Sequence, residues 1–263
     1  MRPNLTRLTQ QQMNVQLKMR TFNLLSLMLW LFQPAVFSGV GMLLSRASGN
    51  TQPDLIYTVI GGGIMGMWSG LVFTSTYDIR GDRRDGTLEL IVASPTSLGT
   101  VESIRTMTNV LAGLISMLVA IIVAVLIFDY SFAGAHLFAA VFSFILVLLG
   151  MWSLGIFLAN FLVWSRLSGS FVEFTEMPVA IICGFMYPIH ILPAWMQSIS
   201  AIFPIRWSLE AMDSALAGSG TFNFYTTQWG LSLLITLIFW LITKWLDGKV
   251  HDRIRVTGEM SSL

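Results

Sequence analysis

The sequence contains few charged residues and a single cysteine. Asp, Glu, Lys and Arg together make up 11% of the 263 residues, whereas 54% are hydrophobic. So small a charged fraction cannot cover the surface of a water-soluble protein of this size, which excludes that class and favours a protein embedded in a lipid bilayer. With only Cys183 available, an intrachain disulfide is excluded as well.

Motifs for catalysis or metal binding are also missing. His136, His190 and His251 lie far apart in the sequence, without an H-E-x-x-H or G-x-S-x-G motif nearby. Gly248-Lys249 lacks the earlier glycine of a nucleotide-binding loop and is followed by Val250. We therefore expect no catalytic residue, no metal site and no bound cofactor in this chain. If ATP drives the protein, a separate subunit binds ATP and Mg²⁺ and hydrolyses the nucleotide.

Long apolar runs dominate the rest of the sequence. A helix needs about 20 mostly apolar residues to cross a bilayer. Five runs meet this length, and a sixth, at 171–187, is shorter and contains Pro178. The sequence thus predicts an all-α membrane protein with six transmembrane helices, at 21–44, 55–77, 106–128, 133–163, 171–187 and 226–246. The first run is too long for a signal-peptide core, so we expect it to be retained as an anchor.

The basic residues are distributed unevenly between the predicted spans. With the N-terminus inside, thirteen Lys and Arg residues fall in inner segments, whereas only Arg46 and Arg206 fall outside. This is the positive-inside pattern, and it predicts that both termini are cytoplasmic. Acidic residues avoid the middle of every predicted span, with Glu173 and Glu176 placed near the inner entrance of the fifth. Since ion-coupled transport usually needs ionisable groups within the membrane, that function is disfavoured but stays an alternative.

The segments around the six-span domain (21–246) have distinct patterns. Residues 1–20 predict an amphipathic helix at the cytoplasmic interface, and residues 247–263 a cytoplasmic tail. Within residues 188–217, two apolar pieces at 195–203 and 205–217 are too short to span. They predict two re-entrant helices that dip into the outer leaflet.

Three glycines of the second span recur every fourth residue. Gly62, Gly66 and Gly70 therefore share one helical face, where another helix can approach closely. The pattern leaves open whether that helix belongs to the same chain or to a second copy, and packing within the chain is the favoured interpretation.

A charged stretch separates the second and third spans, within segment 80–98. In RGDRRDGTLELIVASP the acids and bases alternate, which is unsuited to nucleic acid and suited to docking against another protein. From Thr87 onward the spacing of Leu88, Ile91 and Val92 predicts a short amphipathic helix, with Asp85 as its cap and Pro95 at its end. The alternative is a solvated loop.

Two parts of the sequence resemble a known family. Asp85-Gly86-Thr87-Leu88-Glu89-Leu90 with Ser94-Pro95-Thr96, and Phe185-Met186-Tyr187-Pro188-Ile189 with Leu192-Pro193 and Phe203-Pro204, are similar in order and spacing to ABC-2 type permeases. These proteins are the membrane subunits of ATP-binding cassette exporters.

The resemblance implies a set of functional residues and partners. The coupling residues that contact the ATPase would be Asp85, Gly86, Thr87, Leu88, Glu89 and Leu90. The second and fifth spans of two copies would enclose the translocation path, near Met67, Phe73, Phe185 and Met186. The partners would be two ABC ATP-binding subunits, membrane lipid and a second permease copy, forming a homodimer.

The resemblance also implies a location and a substrate class. We expect the chain in a prokaryotic cytoplasmic membrane, exporting a hydrophobic or amphiphilic substrate such as a drug, a lipid or a lipid-linked compound. A polysaccharide-exporting permease of the same family is an alternative, as are an ion-coupled transporter or channel and a structural membrane protein.

Overall fold

The computed structural model describes residues 28–47, 56–84, 86, 98–128, 136–165 and 173–257. Over these residues the fold contains helices and no strands, which confirms the predicted all-α class. The α-helices are α1 (Gln33–Ala47), α2 (Gly61–Arg84), α3 (Leu98–Phe128), α4 (Leu137–Ser165), α5 (Glu176–Ile182), α6 (Ala194–Ser200), α7 (Pro204–Leu216) and α8 (Phe222–Thr257). Turns of π-helix precede α1 at Met28–Phe32 and α2 at Ile56–Ile60.

Three of the described helices are long and apolar enough to cross a membrane. Their apolar stretches are Gly99–Ile127, Leu137–Phe161 and Phe222–Lys249. A helix satisfies its own backbone hydrogen bonds, which is why it is stable in hydrocarbon. These stretches coincide with the third, fourth and sixth predicted spans. The first predicted span contains a shorter apolar helix, Met28–Leu43, and the count of six stays a prediction.

The fifth predicted span differs most from expectation. In its described part a turn at Thr175 separates the helical residues Glu173 and Phe174 from α5, a seven-residue helix, and a helix of this length rises about 10 Å, far less than a bilayer. Gly184 ends it with a φ of +69°, in the left-handed region that glycine adopts readily. The amides of Gly184 and Phe185 bond back to Ile181 and Ala180, as in a Schellman motif. The described residues therefore do not form one spanning helix over 173–187.

Two short helices follow Pro188, close to where the sequence predicts them. They are α6 and α7, and a turn at Ala201–Ile202 separates them. Pro204 occupies the first turn of α7, where its missing amide hydrogen leaves no backbone bond unmade. That these helices enter the outer leaflet stays a prediction.

Helix α2 lies at the centre of the fold. It packs against α1, α3, α4 and α5, and the side chains of residues 59–72 are buried. A second group of contacts joins α4, α7 and α8. One hydrophobic core, which includes Trp68, Met151 and Ile205, connects the two groups. The two groups thus share a continuous interior.

Large apolar side chains remain exposed along the long helices. On α3 and α8 they recur at helical spacing, as expected of faces that contact lipid acyl chains. They are Met107, Leu111, Ile115, Leu118, Ile122, Leu233, Leu234, Leu237, Ile238 and Leu241.

Three helices continue beyond their apolar runs at the predicted inner side. Helix α2 extends past Tyr77 to Arg84, α3 begins at Leu98 before its apolar run, and α8 extends past Leu246 to Thr257. Hydropathy predicts only the membrane part of a helix, so these polar extensions were not anticipated.

Candidate functional site

A buried polar cluster occupies the junction of α1, α2 and α5. Gln33 Nε2 donates to Ser69 Oγ at 2.8 Å, and the Ser69 hydroxyl donates in turn to the Glu176 carboxylate. The indole of Trp68 donates to the backbone carbonyl oxygen of Glu176 at 3.2 Å. Three helices that are distant in sequence are thereby connected through hydrogen bonds around one carboxyl group.

Glu176 is 7% exposed, although the sequence placed it near the inner entrance of a span. It packs against the middle of α2, because α5 begins at this residue and lies directly on that helix. No basic group pairs with Glu176 among the residues that the structure describes. Hydrogen bonds are therefore the contacts that hold this carboxyl group in the interior.

The same cluster contains polar atoms that make no hydrogen bond. Trp30 Nε1 and Gln33 Oε1 are both buried and unpartnered. The cluster thus retains one donor and one acceptor, which a water molecule or a polar group of a substrate could engage. The sequence pattern did not predict this cluster, and its one signal was Gln33-Pro34 within an apolar run.

The glycine face of α2 packs against α1. A β-carbon on Gly62 would lie 2.8 Å from the backbone nitrogen of Ser38, and one on Gly66 would lie 3.1 Å from Pro34 Cδ. At Gly70 the nearest atom would be Trp30 Nε1, at 2.5 Å. The three glycines therefore bring α1 and the π-helical turn before it close enough to α2 to form the polar cluster within one chain.

The four residues predicted near the translocation path occupy different environments. Met67 and Phe185 are buried in the core, whereas Phe73 and Met186 are partly exposed. Phe185 packs edge to face on Trp68, with ring centroids 6.3 Å apart. Met67 and Phe185 thus contact side chains of their own chain. That these four residues line the translocation path stays a prediction.

Most of the predicted coupling residues lie outside the described part of the chain. Asp85, Thr87, Leu88, Glu89 and Leu90 belong to this group, so their helix and contacts stay predictions. Gly86 is described as an exposed turn residue with a φ of +67°. It follows the end of α2 closely, and glycine is the residue best suited to that backbone conformation.

The end of the coupling segment is connected to the last helix. The backbone amide of Gly99, in the first turn of α3, donates to Asp247 Oδ1 of α8 at 3.0 Å. A carboxylate at this position satisfies an amide hydrogen that has no partner inside the helix. Within α3, Arg105 pairs with Glu102 at 3.1 Å. Segment 85–97 therefore connects the end of α2 to the start of α3, and α3 is bonded to α8.

At the opposite end of the helices, polar contacts hold α6 and α7. Arg206 bonds both the Gln197 carbonyl oxygen, at 2.7 Å, and Glu210, at 3.2 Å. Gln228 of α8 donates to the second oxygen of Glu210 at 3.2 Å. The two short helices are thus bonded to each other and to the last long helix.

Among the residues that the structure describes, no group of three or more His, Cys, Asp or Glu side chains could hold a metal ion. The buried cluster around Ser69 and Glu176 contains hydrogen-bonding groups and one carboxyl group. Its chemistry suits the binding of polar groups by hydrogen bonds.

The chain matches a known protein family. The family model described as "ABC-2 type transporter" matches residues 5–217, which is well over half of the chain. No curated protein matches the chain.

Proposed function

The chain belongs to the ABC-2 type transporter family, and from this premise we propose that it is the membrane subunit of an exporter for hydrophobic or amphiphilic compounds. Membership in the family makes it a permease component of an ABC transporter, and implies association with an ABC ATP-binding subunit. The proposal includes the direction of transport, which is export, and the class of substrate. It also includes the location in a prokaryotic cytoplasmic membrane with both termini in the cytoplasm.

The observation that carries the substrate class is the apolar surface of the first-span segment, Met28–Leu43, and of the segment around α5. Phe32 is 68% and Phe174 is 74% exposed, and Met177 and Ile181 are exposed beside Phe174. In contrast, residues 59–72 of the second span are buried by other helices of the same chain. We therefore assign the surface facing a second copy to the first and fifth spans, rather than to the second and fifth.

Two such surfaces facing each other would enclose a path lined by Phe, Met and aliphatic groups. A path of this kind favours amphiphiles over sugars, which need many hydrogen-bonding side chains. Gln33 of the buried cluster directly follows Phe32, so a small tilt of α1 would alter the hydrogen bonds that Gln33 and Ser69 make around Glu176. Substrate passage and rearrangement of this cluster would then occur together.

The proposed coupling route starts in segment 85–97. ATP binding brings the two ATP-binding subunits together, and the coupling helix transmits this motion to α2 and α3. The contact between Gly99 and Asp247 extends the motion to α8. Glu89 would pair with a basic residue of the ATP-binding subunit.

Reconstitution with the ATP-binding subunit tests the proposal. Proteoliposomes are expected to move a fluorescent amphiphile in an ATP-dependent manner, and Glu89→Arg should lower copurification of the two subunits by at least about tenfold. Glu259→Arg is the matched control, since it makes the same charge change in the predicted cytoplasmic tail. If Glu89→Arg left copurification and substrate-stimulated ATP hydrolysis unchanged, the coupling assignment would be wrong.

One observation favours a second candidate, an ion-coupled transporter. Glu176 is a buried carboxyl group of the kind that binds coupling ions in such proteins. The two functions are separated by transport in vesicles that lack ATP but carry a proton or sodium gradient. Transport under that condition, abolished by Glu176→Gln, would support ion coupling, whereas a strict requirement for ATP supports the exporter.

A further inference from the structure

A cavity lies between the inner ends of α3, α4 and α8. Its volume is about 310 Å³, which is within the range of small-ligand sites. Its walls combine apolar and polar groups from the three helices that are long enough to span a membrane. The lining includes Gly99, Ser103, Asn160, Trp240, Lys244 and Asp247.

Asn160 is the most informative residue of this cavity. It is 0% exposed, yet its side-chain nitrogen and oxygen both lack a hydrogen-bond partner. A buried amide without partners is costly, by about 1–3 kcal/mol for each group left unsatisfied. Because Asn160 lines a cavity large enough for a ligand, a bound polar group would satisfy these atoms.

Lys244 supplies a positive charge at the rim. Its ammonium lies 3.7 Å from the ring centroid of Trp240, and it makes no ion pair with the residues that the structure describes. Asp247 also lines the cavity, and one of its carboxylate oxygens accepts a hydrogen bond from the Gly99 amide at the start of α3. The cavity therefore presents an ammonium group that is open to an anion, with hydrogen-bonding groups deeper inside.

We propose that this cavity binds a phosphate-bearing polar group, with Lys244 facing the phosphate and the amide of Asn160 donating to one of its oxygens. Charge-assisted bonds from lysine to phosphate are among the stronger contacts available to such a group. Trp240 and Ile104 provide apolar wall, as needed if the phosphate belongs to a lipid headgroup whose chains extend into the bilayer. The source is either such a headgroup or a free phosphate compound.

Two measurements on the purified full-length protein test the site and its source. Native mass spectrometry measures retention of phosphatidylethanolamine or phosphatidylglycerol, each added singly, and thermal unfolding measures stabilisation by inorganic phosphate. We expect retained lipid, with Lys244→Met and Asn160→Leu each lowering occupancy by about tenfold or more. A response to lipid alone assigns the site to a headgroup, and a response to inorganic phosphate assigns it to a free phosphate compound.

Matched control variants are available within the same helices. Lys249 also lies over a tryptophan, Trp245, and Asn109 is a second buried asparagine whose amide is unpartnered. Neither residue lines the cavity. Lys249→Met and Asn109→Leu should therefore leave occupancy unchanged. If neither ligand responds, or if the cavity variants behave like these controls, the proposal is overturned. Lys244 is exposed, so its substitution keeps the test informative even if Asn160→Leu does not fold.

Discussion

The hydroxyl of Ser69 donates a hydrogen bond to the carboxylate of Glu176, 107 positions further along the chain. This contact joins the middle of α2 to the start of α5. Gln33 donates to the same hydroxyl from α1, so the three elements are bonded at one point. The proposed substrate surface and the buried polar cluster are therefore parts of the same helix junction.

Loss of the Glu176 carboxylate is expected to destabilise this junction. Glu176→Leu leaves the Ser69 hydroxyl without its acceptor, at a cost of about 1–3 kcal/mol in the free energy of unfolding. Glu176→Gln keeps an acceptor for the Ser69 hydroxyl, so it should lower the free energy of unfolding by less than Glu176→Leu does. Thermal unfolding of the protein in nanodiscs measures both, with Glu259→Leu, in the predicted cytoplasmic tail, as the control. Equal stability of the leucine and glutamine variants would contradict the role assigned to the hydrogen bond.

The glycine face of α2 is expected to be intolerant of side chains. In Gly62→Ala the new β-carbon would meet the backbone nitrogen of Ser38, so α1 must move away, at a cost of about 1–3 kcal/mol. Gly39→Ala, on α1 itself, is the matched control, because no atom lies within 4 Å of its added β-carbon. Thermal unfolding compares the two, and a Gly62→Ala variant as stable as Gly39→Ala would refute the close packing.

Substitution of Gly86 is expected to weaken coupling more than folding. Alanine is less stable than glycine at a φ of +67°, by about 1 kcal/mol or more. The turn between α2 and the coupling segment is therefore expected to change its conformation in this variant. Substrate-stimulated ATP hydrolysis in the complex should fall in Gly86→Ala. Gly81→Ala is the control, since Gly81 lies in α2 with open space around it. Equal hydrolysis in both variants would argue against the turn as part of the coupling route.

Arg206 is expected to hold α6 in place. Arg206→Ala removes the bond to the Gln197 carbonyl oxygen, which joins α7 to α6, and the ion pair with Glu210 within α7. Hydrogen exchange should become faster across Ala194–Ser200, by about tenfold for a local loss of about 1.4 kcal/mol. Exchange in α4 provides an internal reference. Unchanged protection of Ala194–Ser200 would show that apolar packing alone fixes this helix.

Cysteine labelling tests the predicted orientation. Cys183 is buried, so the natural chain should react little with a membrane-impermeant maleimide. Ser219→Cys, at an exposed position after α7, is expected to react from outside intact cells. Glu259→Cys, in the predicted cytoplasmic tail, should react only after the cells are opened. The reverse result would invert the topology and move the proposed phosphate site to the outer side.

The sequence predicted the helical class, the positions of the long apolar helices and the two short helices after Pro188. Each of these depends on local patterns, such as a long apolar run or a proline at a boundary. The buried position of Glu176 depends instead on Ser69 and Gln33, which are far away in sequence. Hydropathy considers each segment alone, so it did not predict that Glu176 is buried inside the protein.

The fifth element illustrates a second limit. Its composition resembles that of a membrane span, but the left-handed conformation of Gly184 ends the helix after Ile182. Glycine is permitted within helices as well as at their ends, so the sequence alone did not indicate which applied. The cavity at Asn160 could not be predicted from the sequence either, because its walls come from three separate helices.

The unbroken course of α2 has a mechanical consequence. From Gly70, where the helix contacts Trp30, to its end at Arg84, the axis rises about 21 Å. If the packed glycine face serves as a pivot, a tilt of about 10° displaces the end of α2 at Arg84 by about 4 Å, whereas Ser69, beside the pivot, hardly shifts. A large displacement at Arg84 then becomes a small change in the hydrogen bonds around Glu176.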